Sequence, residues 1–378
     1  MDTDLSPDAR FDPDAREQPG DDAFIRAILS QNPSIAGEGT DRSDAPDLSS
    51  VIWPQSDQDV PDLSHLAETS LPDRFTLTPE TLEILLAQGR FLPWRDGDLI
   101  ALALRGATLC DGEDSGWCSQ VKIAHARPDL TRFRCVVGFW RPRRGEIRLF
   151  TGSTVPCRRA LYDQASGLRP ANLLPTGLYP TAIWRHRDMW PALRMSRGNT
   201  AHAALEIGAE STVLRPMSGT CLDTRGKFSR ARPYDNVHCS HLLHPDAAFG
   251  ATFSSLGCIT LRGTAAPSDQ WAAFQSVLTD HGLRSRVDLL LTTDKEAALA
   301  TSGSLPATLR PGSSGPAVSQ LQHRLGLAQT GYFGPATSET LATQLRKQNV
   351  GAVILTDARA KSMGWDEIEA IDGPGQKR

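Results

Sequence analysis

The densest collection of reactive side chains lies between Asn236 and Gly263, in the run NVHCSHLLHPDAAFGATFSSLGCITLRG. A cysteine nucleophile needs a base or cation to make the thiolate, N–H donors for the developing oxyanion, and an exposed turn. Cys258 follows Ser255-Leu256-Gly257, and Gly257 lets the backbone approach a substrate carbonyl with no side chain in the way. His238 lies 20 positions earlier, far enough to arrive from a neighbouring strand or loop and face Cys258. The backbone N–H groups around Gly257 and Cys258 are the candidate oxyanion donors. The stretch admits a second reading, because His238, Cys239, His241, His244 and Cys258 are ligand types that suit zinc. Their spacings match no strong zinc signature, so no metal or other cofactor is expected, and His241 and His244 read as solvated loop residues. Cys239 is either a small core residue or a disulfide partner able to switch Cys258 off.

These residues need a scaffold, and the flanking sequence reads as one built mainly of strands. Thr78-Pro79-Glu80 starts a helix, with a capping hydroxyl, a proline in the first turn and an acid near the positive dipole end. Leu82, Leu85 and Leu86 fall on one face and Gly89 ends it. Strand-like runs follow at Leu99 to Leu104, Arg132 to Phe139, Glu146 to Phe150, Tyr179 to Trp184, Phe253 to Leu261 and Val287 to Leu291, separated by Gly, Pro and Asp. Ser268 is placed to cap a helix bearing Trp271, Phe274, Val277 and Leu278, closed by His281-Gly282.

Of the 378 residues, 39% are hydrophobic, enough for a sizeable core but low for a chain that folds throughout. No run of 18 apolar residues exists, so no membrane span is expected. The first 60 residues carry 14 acidic and 4 basic side chains, against 30 and 36 in the remainder. The net charge of −4 argues against a nucleic-acid partner. Residues 1–70, with PDAR at 7–10 and again at 13–16, read as an acidic disordered tail, with a short helix near Phe24 to Leu29. The tail serves as a spacer or as a docking signal for a delivery partner. The N-terminus has no basic or apolar signal region. The seven cysteines contain no CxxC pair and read as mostly reduced, with Cys110 and Cys118 the only close pair able to bridge.

The cysteine motif resembles the L,D-transpeptidase catalytic family (YkuD type), whose pattern is a histidine, an intervening stretch, and Ser/Thr-His-Gly-Cys. Here His238 is followed by 16 residues and then Ser255-Leu256-Gly257-Cys258. Gly177-Leu178-Tyr179-Pro180 leading to His186 resembles the family's strand before the catalytic region, and Thr151-Gly152-Ser153-Thr154 resembles the strand end on the product side. The resemblance covers roughly 130–295 and leaves 71–130 unassigned. It implies a thioester on Cys258 with His238 as base, and it places Ser255 and Gly257 with them in the catalytic set. Tyr179, His186 and Arg262 are the substrate-binding residues it points to. Two positions depart from the pattern: Leu256 stands where many members have histidine, and Thr260 where many have arginine or asparagine. Arg262 is a possible substitute for the latter as carboxylate binder.

Toward the C-terminus, Val318, Leu321 and Leu325 share one helical face, Gly326 allows a stop, and Pro335 opens a second helix carrying Leu341 and Leu345. Leu309 through Thr337 resembles the three-helix peptidoglycan-binding domain. The stretch 296–308 between the two regions reads as an Ala/Ser/Gly-rich linker.

The expected fold class is therefore α+β: a mainly β, transpeptidase-like catalytic region at 71–295, a linker at 296–308 and a small all-α peptidoglycan-binding domain at 309–370. The implied activity is cysteine acyl transfer on peptidoglycan stem peptides, as an L,D-transpeptidase or an L,D-carboxypeptidase or endopeptidase. The alternative is a non-catalytic wall-anchoring protein whose transpeptidase-like domain is degenerate, as part of a phage-like lysis or injection system. Either reading expects a protein made in the cytoplasm that acts at the cell wall or periplasm after non-classical delivery.

Overall fold

The computed structural model describes residues 52–66, 70–94, 98–158, 160–161, 172–186, 189–195, 202–206, 227–231, 235–239, 255, 257–262, 269–282, 285–365 and 368. In chain order these form β1 (Arg74–Leu77), α1 (Pro79–Gln88), β2 (Ile100–Arg105), β3 (Ala107–Leu109), β4 (Val121–His125), β5 (Cys135–Arg141) and β6 (Glu146–Ser153). Next come β7 (Asn172–Leu173), β8 (Gly177–His186), β9 (Met189–Met195), β10 (His202–Glu206), β11 (Lys227–Ala231), β12 (Asn236–Cys239) and β13 (Ile259–Leu261). The chain continues with α2 (Asp269–His281), β14 (Arg286–Thr293), α3 (Asp294–Thr301), α4 (Pro316–Arg324), α5 (Pro335–Arg346) and α6 (Asp357–Ser362).

Eight strands close a barrel in the order β12-β13-β6-β5-β2-β14-β8-β9, with β12 returning to β9. The β12–β13 and β2–β14 pairs are parallel and the other neighbours antiparallel. Two small antiparallel sheets flank it, β1-β4-β3 and β11-β10-β7. The architecture is mixed, mainly β with few helices.

Alternation along the strands sorts side chains into two cores. Ala101 and Ala103 on β2, Val137 and Phe139 on β5, Phe150 on β6, Tyr179 and Ile183 on β8, Val237 and Cys239 on β12, Ile259 and Leu261 on β13, and Leu289 on β14 meet in one cluster, the barrel interior. Helix α2 adds Trp271, Phe274, Val277 and Leu278 to it. The Phe274 ring lies 4.6 Å from Phe139 and edge-on to Phe150 at 5.7 Å. Small alanines on β2 leave room for these rings, which is why a strand reading IALALR is buried on both faces. Its other face, Ile100, Leu102 and Leu104, packs outward against α1, α3 and the segment before β1.

Helix α1 forms as its sequence dictates, with the Thr78 hydroxyl accepting from Thr81 N–H and Gly89 at its C-cap. Two expectations are corrected, and one unassigned stretch finds its place. The N-terminal tail does not run to residue 70, because Trp53, Val60, Leu63 and Leu66 are buried in the outer core and Asp62 pairs with Arg105. The supposed tail helix at 24–29 and the PDAR repeat lie outside the described residues. The unassigned stretch 71–130 supplies part of the barrel, since β2 sits between β5 and β14 in its wall. Finally, 296–308 is not a free linker. Thr293 and Glu296 form a capping box that starts α3, and Ala297 to Ala300 are buried against α1 and β1. Alanines that read as flexible in sequence are there because a helix must pack closely.

The C-terminal module has its own core, in which Leu309, Val318, Leu321, Phe333, Leu341, Leu345 and Leu355 join α4, α5 and α6. It is fastened to the barrel by a backbone bond from Leu178 N–H to Pro311 (3.0 Å), and to the C-terminal end of α1 by bonds from Thr308 N–H to Gln88 (2.8 Å) and Ser314 N–H to Arg90 (2.9 Å). Beneath them runs a buried polar chain. Arg310 meets Glu296 at 2.5 Å and donates to Thr176 Oγ1 at 3.0 Å. Thr176 N–H donates to Asp62 at 2.9 Å, and Asp62 holds Arg105. His65 reaches Glu296 at 3.2 Å. Burial alone would push the Glu296 carboxyl up, but Arg310 and His65 hold it well below the usual range.

Candidate active site

Strands β12 and β13 run side by side in parallel, with Val237 opposite Ile259 and His238 opposite Thr260. Since Val237 and Ile259 point into the barrel, His238 and Thr260 point to its other face. Cys258 immediately precedes β13, two positions before Thr260, and alternation puts it on that same face. Thr260 is in turn opposite Ser153 of β6. A row of His238, Thr260 and Ser153 thus crosses three strands beside the cysteine, all three buried.

The turn carrying Cys258 is clamped by Ser255. Its hydroxyl donates to the Cys258 carbonyl at 2.7 Å and accepts the Gly257 N–H at 3.1 Å. Its carbonyl accepts the Cys157 N–H at 2.9 Å. Ser255 is therefore a structural clamp, and the Gly257 N–H, expected as an oxyanion donor, is committed to it. Cys258 is half-buried and His238 almost fully buried. His238 Nδ1 contacts the Cys239 carbonyl. A carbonyl only accepts, so Nδ1 carries the proton and Nε2 holds the basic lone pair of the neutral ring.

The remaining expected site residues divide. Tyr179 is not at a substrate surface. It is a fully buried residue of the barrel interior whose hydroxyl donates to the Pro175 carbonyl at 2.6 Å, and burial raises its phenol well above the ordinary value. His186 ends β8, and its side chain lies outside the described residues. Arg262 follows β13 with its guanidinium exposed and paired with Glu113 from the loop before β4. Gln270 at the start of α2 ties this edge together, donating to the carbonyls of Thr151 (2.6 Å) and Arg262 (3.0 Å). Neither Glu113 nor Gln270 carried a signal in the sequence, because their proximity depends on barrel closure.

His238 and Cys239 are consecutive strand residues on opposite faces of the barrel wall, so they cannot grip one ion. Among the described residues no group of three or more His, Cys, Asp or Glu side chains could hold a metal, while His241 and His244 lie outside those residues. Cys239 is an interior core residue, and neither it nor Cys258 is in a disulfide. Cys110 and Cys118 are likewise unbridged. No described helix is long and apolar enough to cross a membrane. Comparison with protein-family models, curated proteins and solved structures finds no match to this chain.

Proposed function

We propose that the chain is a cysteine acyl-transfer enzyme acting on peptidoglycan stem peptides, with Cys258 as nucleophile and His238 as base. The observation that carries the reading is the parallel pairing of β12 and β13, which sets His238 and Cys258 on one face of the barrel wall with the histidine tautomer fixed by the Cys239 carbonyl. In this reaction the Cys258 thiol gives its proton to His238 Nε2 and attacks a peptide carbonyl. The leaving amine takes that proton and a thioester remains. An acceptor amine completes a cross-link, whereas water completes trimming. The C-terminal module, three helices with the sequence pattern noted above, supports the same polymer as substrate and holds the enzyme near it.

Mass spectrometry of purified muropeptides incubated with wild type and with Cys258→Ala tests the reading. New cross-linked or trimmed stem peptides are expected with the wild type alone. A second reading, a wall-anchoring protein without activity, draws on the Gly257 N–H being taken by Ser255. It predicts that wild type and variant both leave muropeptides unchanged yet sediment with intact wall sacculi.

A further inference from the structure

The row beside Cys258 contains one polar atom with nothing to bind. Thr260 is fully buried, and its Oγ1 has no hydrogen-bond partner. A buried hydroxyl left in that state costs stability, on the order of what a lost hydrogen bond costs. Its position is specific: directly opposite His238 in the β12–β13 register and two residues beyond Cys258 on the same face. A group that is unsatisfied when its neighbours are neutral gains a partner when they become charged.

We infer that Thr260 is a positioning residue for the charged state of the Cys258–His238 pair, a role that rests on the acyl-transfer reading above. On activation the Sγ–H bond of Cys258 breaks, its electron pair stays on sulfur, and the proton forms the Nε2–H bond of His238. The imidazolium so produced sits in a site from which water is almost excluded. Thr260 Oγ1 accepts from Nε2–H, and its own proton is then free to turn toward the thiolate. A hydroxyl with no bond to break supplies this at no reorganisation cost. The titratable or charged residues on the elements packed against it are Cys239 on β12, facing the barrel interior, Glu146 and Arg148 on β6, paired with Arg141 and Asp114, Cys157 and Arg158 after β6, Arg194 on β9 in register with Asn236, and the Arg262–Glu113 pair at the far end of β13.

The test is the pH dependence of iodoacetamide alkylation at Cys258, followed peptide by peptide by mass spectrometry in wild type, Thr260→Val, Thr260→Ser and His238→Ala. The wild type is expected to alkylate with a midpoint well below the free-thiol value of about 8.5. Thr260→Val should raise that midpoint by about one pH unit, a tenfold slower reaction below it, and Thr260→Ser should restore it. Urea unfolding should show Thr260→Val at least as stable as wild type, since an unpartnered buried hydroxyl is lost. Equal midpoints in wild type and Thr260→Val, with a low wild-type value, overturn the role of Thr260 and leave the acyl-transfer reading standing. An ordinary thiol midpoint in wild type, unchanged in His238→Ala, overturns both.

Discussion

Replacing Arg310 by methionine tests whether the C-terminal module is locked to the barrel or merely tethered. The Arg310 side chain is 5% exposed and that of Glu296 1%, and they meet at 2.5 Å. Arg310 also donates to Thr308 and Thr176. Methionine keeps much of the volume but leaves the Glu296 carboxylate with His65, Thr292 and Thr293. Removing one partner of a buried pair costs about 3–5 kcal/mol, because the other charge is stranded. The loss has a defined pH dependence. In wild type the Glu296 carboxyl is held below its ordinary 4.5, so its contribution is fully present above that value and fades as pH falls below it. Without Arg310, burial dominates and the folded value rises above 4.5, so the variant recovers stability as pH falls from 7 toward 5. The difference between the two proteins should therefore shrink by up to about 1.4 kcal/mol per pH unit. His65, whose imidazole is pushed down by burial with Arg310 adding to the effect, moves the difference the same way. Urea unfolding of the full chain at pH 7 and pH 5 measures both quantities. A loss under about 1 kcal/mol at pH 7, or one equal at both pH values, would refute the reasoning.

Asp294, at the start of α3, has its carboxyl pushed up to about 6 by burial, against the pull of His125 at 2.7 Å. Its folded value lies above the ordinary 3.8, so wild-type stability should gain from this group as pH falls from 7 toward 4. Thermal unfolding of Asp294→Asn across that range should show the gain flattened. Gly312 adopts φ +91°, and a Cβ there would collide with the Leu178 backbone; Gly312→Ala should cost about 1–3 kcal/mol in urea titration, and wild-type stability would argue against close docking of the module. Arg262→Ala breaks only an exposed pair and should change stability by less than about 1 kcal/mol. In the muropeptide assay, a raised KM with unchanged kcat would identify Arg262 as a substrate contact, and no change in either would remove it from the site.

The sequence by itself determined the local signals. Thr78-Pro79 starts a helix and Gly89 ends it because capping and backbone permissiveness act within a few residues. The strands at 100–105, 135–141, 146–153 and 286–293 were legible as apolar runs between turn residues, and α4 and α5 as leucines at helical spacing. Cys258 and His238 stand out in the sequence by residue type and spacing, and their roles as nucleophile and base belong to the proposed function. Acidic composition hid Trp53 and Leu63, whose anchors lie far along the chain, and alanine-rich composition hid α3, whose burial depends on α1 and β1. Only the tertiary structure decided that Tyr179 faces a closed barrel interior, that Cys239 turns away from His238, and that Asp62, Arg105, Glu296 and Arg310 join into one buried chain. Side-chain direction depends on strand register and barrel closure, and charge compensation on partners up to hundreds of residues away. Neither is encoded in any local window, so Thr260 became more than a departure from a motif only once the β12–β13 register set it against His238.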